Sequence, residues 1–131
     1  MLKRDSLTAQ MEQLSHTLAK VKRLILEDQE PKALEEIQHT LARDFELTDQ
    51  AVLEYPTAAF IRYLKELAFK AEELNMLAAF LDERAGLYDD EPSRSNIWTK
   101  VLGIYDLLEQ DLHFLSLENL ARRQLLIKAI Q

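Results

Sequence analysis

Leu7, Met11, Leu14, Leu18, Val21 and Ile25 follow one another at steps of 4, 3, 4, 3 and 4 residues. Only an α-helix brings residues at that spacing onto one side of the chain. The pattern predicts a first helix from a cap at Asp5 or Ser6 to about Asp28, with Leu24 and Leu26 widening its apolar stripe. Such a seam packs either into a bundle or against a second copy as a short coiled coil. Enough chain follows to cover it, so packing within the chain is expected.

The helical pattern continues throughout. Two glycines and three prolines are very few for 131 residues, and β-branched residues never alternate in a strand-like run, so strands are not expected. Each proline falls in a predicted break. Asp28-Gln-Glu-Pro31 ends the first helix, and Pro31 suits the first turn of the second, about Pro31–Asp44, where its missing N–H costs nothing. Leu34, Ile37, Leu41 and Phe45, with Ala33 beside them, form that helix's apolar face. Thr48 or Asp49 caps a short helix bearing Val52 and Leu53, closed by Tyr55-Pro56. Thr57 is read as the cap of Ala58–Leu67, and a turn is expected near Ala68–Ala71.

Ala71–Glu109 reads as two helices folded back on each other across Tyr88-Asp-Asp-Glu-Pro-Ser-Arg-Ser95, the third prolyl break, with Asp90 or Ser93 as cap. Gly86 stands where the first of the pair should end, and Gly103 inside the second marks a close helix approach. Trp98 and Tyr105, seven residues apart, are assigned to the core. Asp111-Leu-His-Phe-Leu115 is a turn, and Ser116 caps a final helix, Leu117–Ile130. That helix is apolar enough that it must bury two faces, or one face plus a partner. The whole is predicted to be one all-α domain of about six to seven helices spanning residues 1–131.

Composition narrows the function classes. A hydrophobic content of 47% with 30% charged residues fits a folded chain rather than a disordered one. A net charge of −7, with an excess of acid in both halves, argues against a nucleic-acid partner. No cysteine is present, which removes disulfides, thiol nucleophiles and thiolate zinc sites. No apolar run approaches the length of a membrane span, and the polar N-terminus lacks the core of a signal peptide. A cytoplasmic protein without a membrane partner is expected.

Little here suggests catalysis. Glu36-Ile-Gln-His39 has the spacing of a di-iron bundle ligand pair, but such a site needs a second copy and two further carboxylates. His16 and His113 follow Glu12 and Glu109 by four residues and do not supply one. Ser15 and His16 are adjacent on a helix and point apart, and no glycine elbow or phosphate loop occurs. The acidic pairs Asp82-Glu83 and Asp89-Asp90-Glu91 lack the spacing of a calcium loop, and Lys20, Lys22 and Arg23 suit the negative end of the first helix. No enzyme activity, metal or cofactor is expected.

Two segments resemble degenerate tetratricopeptide hairpins, at about residues 14–45 and 71–112. In the first, Asp28 stands at the turn, and Ala33, Ile37, Thr40 and Leu41 resemble the second-helix signature. In the second, Ala79 takes the small contact position, Gly86 the turn glycine, and Trp98-Thr-Lys-Val-Leu102 resembles the aromatic-x-Lys-Ala-Leu run. The first segment has Val21 in place of the contact glycine and lacks the turn glycine, the second has a longer turn, and neither ends in proline. With its Met1-Leu-Lys-Arg-Asp start and Ala-Leu-Glu-Glu-Ile second helix, the chain is similar to small bacterial tetratricopeptide-like proteins, a family with no established function. The resemblance implies stacked hairpins and a protein-binding role. By its pattern Glu73, Met76, Phe80, Glu83 and Arg84 would line a concave face, joined by Ser15 and Lys22, with Met76 and Phe80 as apolar anchors for a peptide.

The expected function is therefore non-enzymatic binding of a peptide or protein segment on a concave helical face. The alternative is a homodimeric assembly protein. It would use the first-helix seam, or Leu120, Leu126, Ile127 and Ile130 of the last helix. Fewer than three repeats leave the ends of a solenoid uncovered, which favours some self-association under either reading.

Overall fold

The structure is a computed structural model that describes residues 3–131, with side chains from Ser6 onward. Its helices are α1 (Lys3–Leu26), α2 (Glu30–Phe45), α3 (Asp49–Glu54), α4 (Thr57–Leu67), α5 (Ala71–Gly86), α6 (Glu91–Gln110) and α7 (Leu117–Ile130). No strand occurs among the described residues, and the fold is all-α. α1 and α2 make one antiparallel hairpin, and α5 and α6 make a second. α5 lies against both α1 and α2, which stacks the second hairpin on the first, and α7 packs on α6. The short helices α3 and α4 lie against α6, away from α1.

The α1 seam folds inward. Leu14, Val21 and Leu24 are buried, and Met11, Leu18 and Ile25 pack against the same core. Ala33, Ile37, Leu41 and Phe45 of α2 meet them, joined by Leu74, Leu77, Ala78 and Leu81 of α5 and by Ile97, Val101, Ile104 and Leu108 of α6. At the usual 1.5–3 kcal/mol for a fully buried large apolar side chain, this shared core is what holds the two hairpins together. The chain itself thus covers Leu14, Val21 and Leu24 of the seam and partly covers Met11, Leu18 and Ile25.

The helix ends follow local chemistry. Thr48 and Ser116 accept hydrogen bonds from the backbone amides of Ala51 and Asn119, and Asp90 accepts one from Ser93, so each caps the helix that follows. Pro31 sits in the first turn of α2. At the end of α1, Asp28 takes a left-handed conformation (φ 59°) and the Gln29 amide donates to the Leu24 carbonyl at 2.8 Å, a glycine-type stop made without glycine. Glu46, Ala68 and His113 do the same after α2, after α4 and before α7. Gly103 lets α4 approach α6 closely. A Cβ there would stand 3.0 Å from Ile61 Cδ1.

Two expectations about local structure are corrected. α1 begins at Lys3, so Asp5 and Ser6 lie inside the helix rather than capping it, while Met1 and Leu2 of the expected N-terminal motif lie outside the described residues. Thr57 is the first residue of α4, and Pro56, in extended conformation before it, takes the cap position. Gly86 does end α5, but without positive φ, and nothing would lie within 4 Å of an added Cβ, so no steric demand selects glycine there.

Candidate functional site

The central helix α5 fixes the site by the way its sequence is divided between faces. Leu74, Leu77, Ala78, Leu81 and Ala85 recur at helical spacing and are buried. The residue where the helices touch is therefore Ala78, with Ala79 only partly covered. That one-residue difference corresponds to about 100° of rotation on a helix, and it moves the open face. Phe80 is fully enclosed and Arg84 is 7% exposed, so neither can meet a partner. Arg84 instead donates to both oxygens of Asp49, Nε at 3.0 Å and Nη2 at 3.1 Å, and its guanidinium lies 3.8 Å above the Tyr88 ring. Met76 is half-buried against the core, and the Glu73 carboxylate accepts from the Lys70 amide at the start of α5. Of the expected α5 set Glu83 lines the cleft described below, with Lys22 of α1 opposite it at 3.7 Å. Ser15 is exposed further along α1, near Glu72.

What the structure brings together is a groove along the inner face of α1, α5 and α7. Glu72 lies beside the first half of α1 and Glu83 beside Lys22, so α1 and α5 run parallel, side by side. A cleft of about 410 Å³ is lined by Lys22 of α1, by Ala79, Asp82 and Glu83 of α5, and by Glu118, Asn119 and Arg122 of α7, with Tyr105 of α6 among them. A smaller slot of about 170 Å³ adjoins it, sharing Asp82, Glu83 and Arg122 and bounded by Ile25, Leu87 and Trp98. Because α3 and α4 pack on α6, they leave this face open.

Polar pairing attaches α7 to the groove wall. Arg122 donates to both oxygens of Asp82, at 2.7 and 2.8 Å, and the Trp98 indole N–H donates to the same carboxylate at 3.0 Å. Asn119 donates to Asn75 at 2.9 Å. Arg123 on the next position binds Asp106 and Glu109 of α6 and lies over the Tyr105 ring. Asp82 is thus saturated, and Glu83 beside it is not. Burial pushes the Glu83 carboxyl above its ordinary value, Lys22 opposes that shift, and the neighbouring Asp82 charge adds to it. Tyr105 is 4% exposed, and burial pushes its hydroxyl up to about 12, so it stays neutral. That hydroxyl has no hydrogen-bond partner among the described residues and keeps contact with solvent. Sequence reasoning placed Tyr105 and Trp98 in the core; this holds for the Tyr105 ring, whereas the Trp98 ring is only partly buried against the core and walls the smaller slot. Their polar edges belong to the groove, a double role that their spacing alone does not disclose.

The other candidate residues lie elsewhere. In α7, Leu126 is buried in the core, and Leu120 and Ile130 are half-buried, so of the four expected interface residues only Ile127 is freely exposed. The exposed apolar residues at this end are Leu115 and Ile127 with Leu117 and Leu125, the last two 83% and 58% accessible. Glu36 pairs with Lys20 of α1 at 2.7 Å, and the exposed His39 lies with it along the seam between α1 and α2. Among the described residues, no three His, Asp or Glu side chains are grouped to hold a metal, and no helix is long and apolar enough to cross a membrane. No protein-family model matches this chain, and no curated protein or solved structure matches it significantly.

Proposed function

We propose that the chain is a non-enzymatic, cytoplasmic interaction module of degenerate tetratricopeptide-like type. It binds an extended segment of a partner protein along the inner groove of α1, α5 and α7. The observation that carries this reading is the groove itself: three helices side by side present polar groups around one cleft, while the outer faces of the hairpins are occupied by α2, α6 and the middle helices. Rigid parallel helices display side chains at fixed intervals, which suits recognition of an extended chain. Ala79→Arg fills the floor of the cleft without entering the core. Affinity capture followed by mass spectrometry should recover partners with the wild type and with an Ala42→Arg control on the exposed side of α2, and lose them with Ala79→Arg. Equal recovery by all three proteins removes the groove from consideration.

A second reading, self-association, draws support from the apolar surface of α7. Leu112, Leu115, Leu117, Leu125 and Ile127 are all exposed in and just before α7, which gathers most of the exposed large apolar side chains near this helix. Under this reading the protein is a homodimer through α7, not through α1. Light scattering should find a dimer that Leu125→Asp converts to a folded monomer. A monomeric wild type at millimolar concentration ends this reading and leaves the groove untouched.

A further inference from the structure

The slot beside the main cleft has a composition of its own. Ile25, Leu87 and the Trp98 ring give it apolar walls, and Glu30 and Glu83 place two carboxylates along them. Its volume, about 170 Å³, admits one long side chain rather than a segment of backbone. Asp82 also borders the slot, but Arg122 and Trp98 already satisfy it. Glu83 is different. Its nearest cation, the Lys22 ammonium, stands 3.7 Å away, outside hydrogen-bond distance, on a side chain that is mostly in water. Among the described residues lining cleft and slot, the carboxylates are those of Glu30, Asp82, Glu83 and Glu118 and the cations those of Lys22 and Arg122.

We propose that this groove selects a partner segment carrying a lysine or arginine, whose aliphatic stem lies between Ile25, Leu87 and Trp98 and whose charge meets Glu83. The inference rests on the groove being the binding face and adds the chemistry of what it accepts. Long basic side chains have the two parts the slot requires, an apolar stem and a cationic tip, and the tip also gains from a nearby indole face. An acidic or phosphorylated side chain would meet the like charges of Glu30 and Glu83. A purely aliphatic one would cover Glu83 without pairing it, which is costly for a charge. In the adjoining cleft the Tyr105 hydroxyl, on a side chain 4% exposed, has no hydrogen-bond partner among the described residues and is open to a polar group of the same segment.

Trp98 is the only tryptophan in the chain, so its indole N–H resonance and its fluorescence report on the slot alone. The probes are four capped ten-residue peptides of one alanine–glycine–serine background, differing at a central position that holds lysine, arginine, norleucine or glutamate. Titrated into the full chain, the lysine and arginine peptides should shift the Trp98 signals, with norleucine and glutamate binding at least tenfold more weakly. Glu83→Gln should reduce the lysine-to-norleucine ratio below threefold, with the helical circular-dichroism spectrum unchanged. Equal binding of all four peptides overturns the preference for a basic side chain and leaves the groove as the binding face. The absence of a Trp98 response to any of them overturns the seating of a basic side chain in the slot, and the capture experiment with Ala79→Arg then decides the groove separately.

Discussion

Replacing Arg84 with methionine should destabilise the protein by about 2–3 kcal/mol, a loss of roughly 10 °C in Tm for a chain of this size. Methionine keeps the apolar stem of the side chain and removes only the guanidinium. What disappears is the two-pronged contact with Asp49 at 3.0 and 3.1 Å and the stacking on Tyr88 at 3.8 Å. What stays behind is the larger part of the cost. Asp49 would remain as a carboxylate only 23% accessible at its side chain, held by Gln38 alone. Breaking a well-buried pair generally costs about 3–5 kcal/mol, and the partial exposure of Asp49 brings the figure down. Because Asp49 begins α3 and Arg84 lies in the last turn of α5, the pair fastens the middle helices to the second hairpin. Urea unfolding followed by circular dichroism measures the effect. Asp49→Asn combined with Arg84→Met should cost less than the sum of the two single changes, since the second change removes an already orphaned charge. A strictly additive double variant would mean that the two groups do not act as a pair.

The elements were legible in this sequence because helix-period spacing and prolyl breaks agree with each other. Pro31, Pro56 and Pro92 each stand at or beside the start of a helix. The turns without proline were harder to read. Asp28, Glu46, Ala68 and His113 all adopt left-handed backbone that usually calls for glycine, and of these only Asp28 and His113 belong to residue types enriched there. Tertiary packing, not local preference, holds the others there. Leu47 directly after Glu46 is buried, and the Tyr63 hydroxyl donates to the Glu46 carbonyl. Such support depends on residues distant in sequence, so no local window displays it.

The site was legible only in part, for a geometric reason. α5 carries alanine at both 78 and 79 and large apolar groups at both 80 and 81, so two registers of the apolar stripe fit almost equally well. Choosing Ala79 as the contact residue turns the helix by about 100°. It exchanges Glu72, Asn75, Ala79 and Asp82 for Glu73, Met76, Phe80 and the position after them. Glu83 survives in both because it borders the two faces, and Lys22 survives because it is read from another helix. Asp82, by contrast, is placed by its hydrogen bonds to Trp98 and Arg122, at separations of 16 and 40 residues.

Phe80→Ala decides between the two registers by a single measurement and should have the largest effect of any change considered. If Phe80 were an anchor on an open face, its removal would abolish partner binding and leave stability within about 0.5 kcal/mol of wild type. The ring is instead wholly inaccessible, in the core shared by α1, α2, α5 and α6. Truncating it removes the transfer free energy of the aromatic group and leaves a cavity that packed neighbours fill only partly, at about 3–5 kcal/mol. That loss is a large share of the 5–15 kcal/mol available to a typical domain, so the variant should unfold at much lower urea concentration. Ala79→Arg, one residue earlier, should keep the wild-type midpoint because its side chain enters the cleft and not the core. The contrast between neighbours is the sharpest expression of a helix with one face given to packing and the next to the groove. A Phe80→Ala protein of unchanged midpoint would place that residue on the surface and reverse the assignment of faces along α5.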